Sequence, residues 1–199
     1  MTEPIYKSAA GEAAVMDLYE RTLAHWPVPC TTAVLPTRHG DTFVIASGPE
    51  SAPPVVLLHG ASSNALAWIG DVATLSHTLR VYAVDLPGEP GRSSPNRPPW
   101  AGPAFSEWME DVLDGLHIEQ AALVGISQGG WTALKFATAQ PERVAALVLL
   151  RLPASPQRGP PSCCAPSRSR CWAAAGESPS TASSLASNRS TRTPWPSWT

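Results

Sequence analysis

Apolar positions recur in two rhythms along the first 150 residues, and the switches between them mark out the elements. Val15, Leu18, Tyr19, Thr22, Leu23 and Trp26 repeat at three and four residues, which predicts an amphipathic helix ending before Pro27. Thr31 to Thr37 and Thr42 to Ser47 read as two strands joined by a turn around His39-Gly40-Asp41. Behind Pro53-Pro54, Val55-Val56-Leu57-Leu58 is an unbroken apolar run, the pattern of a strand buried on both faces. Helical spacing returns from Ala65 to Leu79, and Arg80 to Val84 forms the next strand. A loop rich in Pro and Gly runs to Pro103, after which Phe105, Trp108, Met109, Val112, Leu113 and Leu116 share one helix face. Ala121 to Val124 is a strand, Gln128 to Gln140 a helix and Val144 to Leu150 a strand. Strands alternating with helices at these lengths imply βαβ units, a parallel sheet and an α/β fold.

The rhythm stops at residue 150. Residues 151–199 hold 11 Ser and 8 Pro but no Ile, Val, Phe, Tyr, Met, Asp or His. Ordering these 49 residues costs roughly 1–2 kcal/mol each in backbone entropy. Two Leu and three Trp return only about 1.5–3 kcal/mol apiece on full burial. Entropy wins, and a disordered Ser/Pro/Arg tail is expected. The chain thus divides into an N-terminal helix over 1–26, a core over 27–150 and a tail over 151–199.

Charge follows the same boundary. The net −2 conceals −7 over residues 1–150 and +5 over 151–199. Neither a nucleic acid nor an acidic membrane is an expected partner. The start of the chain is acidic and lacks an apolar run, so no signal peptide is expected, and no stretch reaches the ~20 apolar residues of a membrane span. Cys30 stands alone, and Cys163, Cys164 and Cys171 fall in the tail without histidine partners at metal spacing. A cytoplasmic protein is expected; oligomeric state is not legible.

The chemistry concentrates in Ala121-Ala122-Leu123-Val124-Gly125-Ile126-Ser127-Gln128-Gly129-Gly130. A serine hydroxyl is a poor nucleophile unless it is held exposed, beside a base, with donors waiting for the oxyanion. A strand turning sharply into a helix lifts Ser127 on a strained tip and aims the helix N-terminal N–H groups at the developing charge. Gly125 and Gly129 flank the tip because side chains there would collide, and Gly130 lets the helix approach the sheet. A turn without chemistry is the competing reading.

A second segment, His59-Gly60-Ala61-Ser62-Ser63-Asn64, follows the buried strand. Backbone N–H groups of Ala61 and Gln128 would complete an oxyanion hole. His59 reads either as a buried histidine that bonds backbone and shapes the loop with Gly60, or as a general base. Ser62 and Ser63 read as caps of the following helix. In the third segment, Asp85-Leu86-Pro87-Gly88-Glu89-Pro90-Gly91-Arg92-Ser93-Ser94, Asp85 is a turn former or a catalytic acid. Trp68, Trp100, Trp108 and Trp131 fit either a substrate cleft or the core.

Taken together, the three segments resemble the α/β-hydrolase superfamily: His-Gly after the third strand, the Asp-x-x-Gly turn after the fourth and the serine elbow after the fifth. "LLHGASSN", "YAVDLPGEPGRS" and "LVGISQGGWTALKFATAQPERV" resemble its small bacterial carboxylesterase-like members. The resemblance covers about residues 27–150. It implies a three-layer, mostly parallel sheet, incomplete after its sixth strand. It also implies ester or related acyl hydrolysis of a small molecule through an acyl-enzyme on Ser127, with Ala61 and Gln128 as oxyanion donors. No metal or organic cofactor is implied. One departure is an extra residue in the Asp85 turn, where Gly-Glu-Pro-Gly stands for Gly-x-Gly.

The larger departure concerns the triad. The family order is serine, acid, histidine, with both partners after the serine. Here all five histidines, His25, His39, His59, His77 and His117, precede Ser127, and only Glu142 and Glu177 follow as acids. The tail is also what a hydrophobic segment becomes on a one-base shift: Ser, Cys and Trp codons supply T in the second shifted position, which codes Phe, Leu, Ile, Met or Val. A frame change near Leu150 is the corresponding hypothesis. Three readings follow: a serine hydrolase with an unconventional base such as His59, a catalytically inactive fragment, and an interaction protein using the Arg-rich tail.

Overall fold

The computed structural model describes residues 5–151. The expectations of a disordered tail and of a shifted frame concern residues 152–199 almost entirely and lie outside the described residues.

The first helix, α1 (Ala9–Leu23), starts where Ser8 accepts a hydrogen bond from the Gly11 N–H at 3.1 Å. Next come β1 (Cys30–Leu35), β2 (Thr42–Ser47) and β3 (Pro54–Leu58). The short α2 (Val72–Leu75) precedes β4 (Arg80–Val84), and α3 (Ala104–Gly115) separates β4 from β5 (Ala121–Ile126). Then α4 (Gln128–Ala139) leads into β6 (Val144–Leu150). The six strands form one sheet in the order β1-β2-β4-β3-β5-β6. Pairings of β1 with β2 and of β2 with β4 are antiparallel; those among β4, β3, β5 and β6 are parallel. This is the expected sheet, antiparallel at its start and parallel afterwards.

Side chains alternate across the strands, so each strand feeds two cores. On one face Val56, Leu58, Val84 and Leu123 pack with Phe105, Trp108 and Met109 of α3 and Phe136 of α4. On the other face Val55, Leu57, Val81 and Ala83 pack with Tyr19 of α1, Trp68 and Val72. Helices cover both faces of the sheet, which makes three layers.

Two local expectations are corrected. Residues 65–79 are not one helix but a 3-10 turn, Ala65–Trp68, followed by α2. Gly70 interrupts the spacing, and the two short pieces seat Leu66 and Trp68, and then Val72, on the sheet. Ser62 and Ser63 do not cap this segment; Asn64 does, accepting from the Leu66 N–H at 3.1 Å. Trp68 and Trp108 are core residues rather than cleft walls, 3% and 0% exposed, and the Trp108 indole donates to Thr42 Oγ1 at 2.8 Å.

Candidate active site around Ser127

Ser127 sits between the last residue of β5 and the first of α4, with φ +51° and ψ −108°. A non-glycine residue in this region is strained by roughly 1–3 kcal/mol and persists only where its surroundings hold it. The holding is visible. The Ser127 N–H donates to the Leu150 carbonyl of β6 at 2.9 Å, and the Ser127 carbonyl accepts from Trp131 N–H at 3.0 Å, the first bond of α4. Serine at a helix N-cap ordinarily spends its hydroxyl on the helix, yet Ser127 makes no such bond. Its half-buried side chain is therefore left to other partners. N–H groups of the first helical turn lack intrahelical acceptors, and Gln128 N–H is the one adjoining the serine.

The glycines around the tip are dictated by backbone approach. A Cβ on Gly125 would strike Gly129 O and stand 2.5 Å from Gly130 N. A Cβ on Gly129 would strike Leu58 O and stand 2.5 Å from His59 O. The start of α4 thus rests directly on the end of β3. Gly60 lies beside the tip without being required there, since a Cβ on it would make ordinary contacts, 3.7 Å from Ser127 Cβ and 3.6 Å from Ile126 O. The elbow and the His59–Asn64 loop therefore lie in contact at Gly60.

His59 is completely buried, and both ring nitrogens are engaged. Nε2 accepts the Leu86 N–H at 2.9 Å, so the proton resides on Nδ1, which donates to Gly60 O at 2.7 Å. Burial lowers the imidazole to about 4, keeping it neutral at neutral pH. With its lone pair spent on Leu86, His59 has none to offer Ser127. The geometry supports loop shaping and leaves no room for the general-base reading. It also fixes a direction: in a planar trans peptide the N–H points opposite to the C=O. By drawing the Gly60 carbonyl toward itself, His59 turns the Ala61 N–H the other way.

Asp85 is likewise a structural hub. Its buried carboxylate accepts from Ala65 N–H at 2.7 Å, Arg92 N–H at 2.8 Å and Tyr19 O–H at 3.0 Å. Burial pushes the carboxyl above its ordinary range, and those donors pull it back. No histidine is among its partners, so the acid reading fails on geometry. Gly91 lies against it, since a Cβ there would stand 2.5 Å from Asp85 Oδ2.

The remaining histidines are remote from the elbow. His77 and His117 precede β4 and β5, at the sheet edge opposite the C-terminal end of β5, and His25 lies on that same side through its neighbour Trp26, which donates to Ser47. His39 is at the correct edge but beside β2, three strands from β5 or roughly 14 Å at sheet spacing, and pairs with Glu107 at 3.1 Å. Two open cavities, of about 560 and 300 Å³, are lined by Asp114, His117 and Arg143, and by Arg38, His39 and Arg97; Ser127 lines neither. Among the described residues, no group of three His, Cys, Asp or Glu side chains is placed to hold a metal.

Sequence reasoning missed one residue. Glu89, in the lengthened Gly-Glu-Pro-Gly stretch of the Asp85 turn, is 2% exposed and accepts the Ser62 N–H at 2.7 Å. The insertion itself was the available signal.

The family model described as alpha/beta hydrolase fold matches residues 53–160. The chain is 41% identical over 132 residues to an uncharacterised carboxylesterase, nap, of Bacillus subtilis, covering 66% of this chain and 44% of the relative. It is 39% identical over 132 residues to carboxylesterase YbfK of the same organism, with 66% and 45% covered. The crystal structure of naproxen esterase (carboxylesterase NP) from B. subtilis superposes with a TM-score of 0.64 at 38% identity, over 70% of this chain and 48% of that one. The chain spans about half the length of the relatives it matches. With the strand order, the glycine-bound elbow and the matched segment in agreement, the chain belongs to the α/β-hydrolase fold family.

Proposed function

We propose that this chain carries the nucleophile half of a carboxylesterase acting on small-molecule esters. The observation that carries the reading is Ser127 at φ +51°, its hydroxyl free of the helix it begins. The carboxylesterase relatives support the same chemistry. Ser127 Oγ attacks the ester carbonyl carbon, and negative charge gathers on the carbonyl oxygen, where Ala61 N–H and Gln128 N–H donate to it. The carbon–oxygen bond to the alcohol then breaks, the alkoxide takes up the serine's proton through a base, and water hydrolyses the acyl-enzyme. We place the activity in the cytoplasm, with neither nucleic acid nor membrane as partner, in keeping with the net charge of −2.

The base is not one of this chain's five histidines. His59 is committed to backbone and the other four are remote from the elbow. Removing the base from a serine hydrolase costs on the order of 10⁶ in kcat, so the chain alone turns over slowly. Added imidazole can stand in for it. The test is hydrolysis of p-nitrophenyl butyrate by the full chain with and without imidazole, beside Ser127→Ala. Imidazole-dependent turnover that disappears in Ser127→Ala is the expected result. Equal rates in the two proteins would reject the nucleophile.

A further inference from the structure

We propose that Glu89, neutralised by Arg97, is a positioning residue that locks the Ala61 amide in place; the proposal rests on the reading of Ala61 as an oxyanion donor. Glu89 is a buried carboxylate with two kinds of partner. Oε2 accepts the Ser62 N–H at 2.7 Å, and Oε1 accepts from Arg97 Nη2 at 2.8 Å. The same Arg97 nitrogen donates to Gly88 O at 2.9 Å, and Gly88, at φ +76°, has no room for a side chain beside Arg97. A third tie joins the two loops where Asn64 Nδ2 donates to Pro90 O at 3.0 Å.

These bonds act on the backbone at the point where it matters. Ala61 lies between two peptide planes. His59 fixes the plane of residues 60 and 61 through the Gly60 carbonyl, and Glu89 fixes that of residues 61 and 62 through the Ser62 N–H. Ser62 adopts φ +55°, a conformation that a serine leaves unless something holds it. Glu89 is that hold. It also takes the Ser62 N–H out of contention, so Ala61 supplies the donor from this loop. A bare carboxylate next to an oxyanion hole would oppose the charge that develops there; Arg97, whose side chain is 55% exposed, cancels it from the solvent side.

The test reads geometry and chemistry separately, on the full chain. Amide hydrogen exchange at Ala61 and Ser62 is measured by NMR in the native protein, Glu89→Ala and Glu89→Gln, with Val56 of β3 as the internal reference. Imidazole-dependent acylation of Ser127 by p-nitrophenyl butyrate is measured on the same samples. In Glu89→Ala, exchange at Ser62 should quicken tenfold or more, Ala61 should follow, and acylation should fall tenfold or more while Val56 is unmoved. Glu89→Gln keeps an acceptor for Ser62 and should restore both readings to within about threefold. If Glu89→Ala does not fold, Arg97→Met at the exposed end of the pair should quicken Ser62 exchange at least threefold. Unchanged amides in these variants would overturn the proposal, as would faster Ser62 exchange with undiminished acylation. Absence of acylation in the native protein would instead reject the carboxylesterase reading, and the amide rates would still decide whether Glu89 holds the loop.

Discussion

Hydrogen-bond partners decide what single residues around the elbow do. His59 illustrates it. Its type and place favoured a loop-shaping residue and still allowed a base, because the deciding partner, Leu86 N–H, arrives from another strand end 27 residues away. The same neutral histidine predicts a pH dependence. Its folded value of about 4 lies below the ordinary 6.5, so below pH 6.5 the unfolded chain takes up a proton that the folded chain refuses. Stability from this group is complete above pH 6.5 and is lost as pH falls toward 4. Between pH 7 and pH 5 the loss is about 2 kcal/mol. Urea unfolding at those two pH values should show it, and His59→Gln should remove it. An equal slope in both proteins would mean that the proton on His59 does not matter to the fold.

Elements were read from sequence where burial alone shaped the pattern. The unalternating run of β3 and the single apolar face of α3 were legible because each reports which faces are covered; β6 carries the same kind of run, yet among the described residues none of its side chains is fully buried. Residues 65–79 were misread because Trp68 and Val72 keep helical spacing although the backbone between them breaks at Gly70. The elbow was legible for a different reason: the glycines at 125 and 129 are demanded by backbone-to-backbone approach, which leaves a mark in composition. Glu89 was only half legible: the lengthened turn marked its place, but nothing there shows that Ser62 will need an acceptor. Two glycine substitutions test how the elements pack. Gly129→Ala pushes a methyl into the Leu58 and His59 carbonyls, where no flexible side chain can yield, and should cost about 3 kcal/mol. Gly70→Ala meets nothing within 4 Å and should be neutral or stabilising by about 0.5 kcal/mol. Chemical denaturation of the pair compares them; equal effects would contradict the close seating of α4 on β3.

At the scale of the molecule, the sheet places Ser127 at the C-terminal end of β5 and, among the described residues, leaves β6 at its flank paired on one side alone. Among the described residues β6 pairs only with β5, and Val148 and Leu150 are 45% and 40% exposed. An apolar edge of this kind templates association between copies. Val148→Lys should lower concentration-dependent self-association in sedimentation velocity without moving the unfolding midpoint; unchanged association would place the contact elsewhere. Ser127 is tied to the same strand through the Leu150 carbonyl, so the edge and the proposed nucleophile share a support.

The most direct measurement of the central claim is the mass of the peptide containing Ser127 after the full chain is exposed to p-nitrophenyl butyrate in the presence of imidazole and quenched in acid. A butyryl group on Ser127, absent when that residue is alanine, is the predicted result. A peptide that remains unmodified while ester is consumed, or that carries the acyl group on another residue, would contradict it.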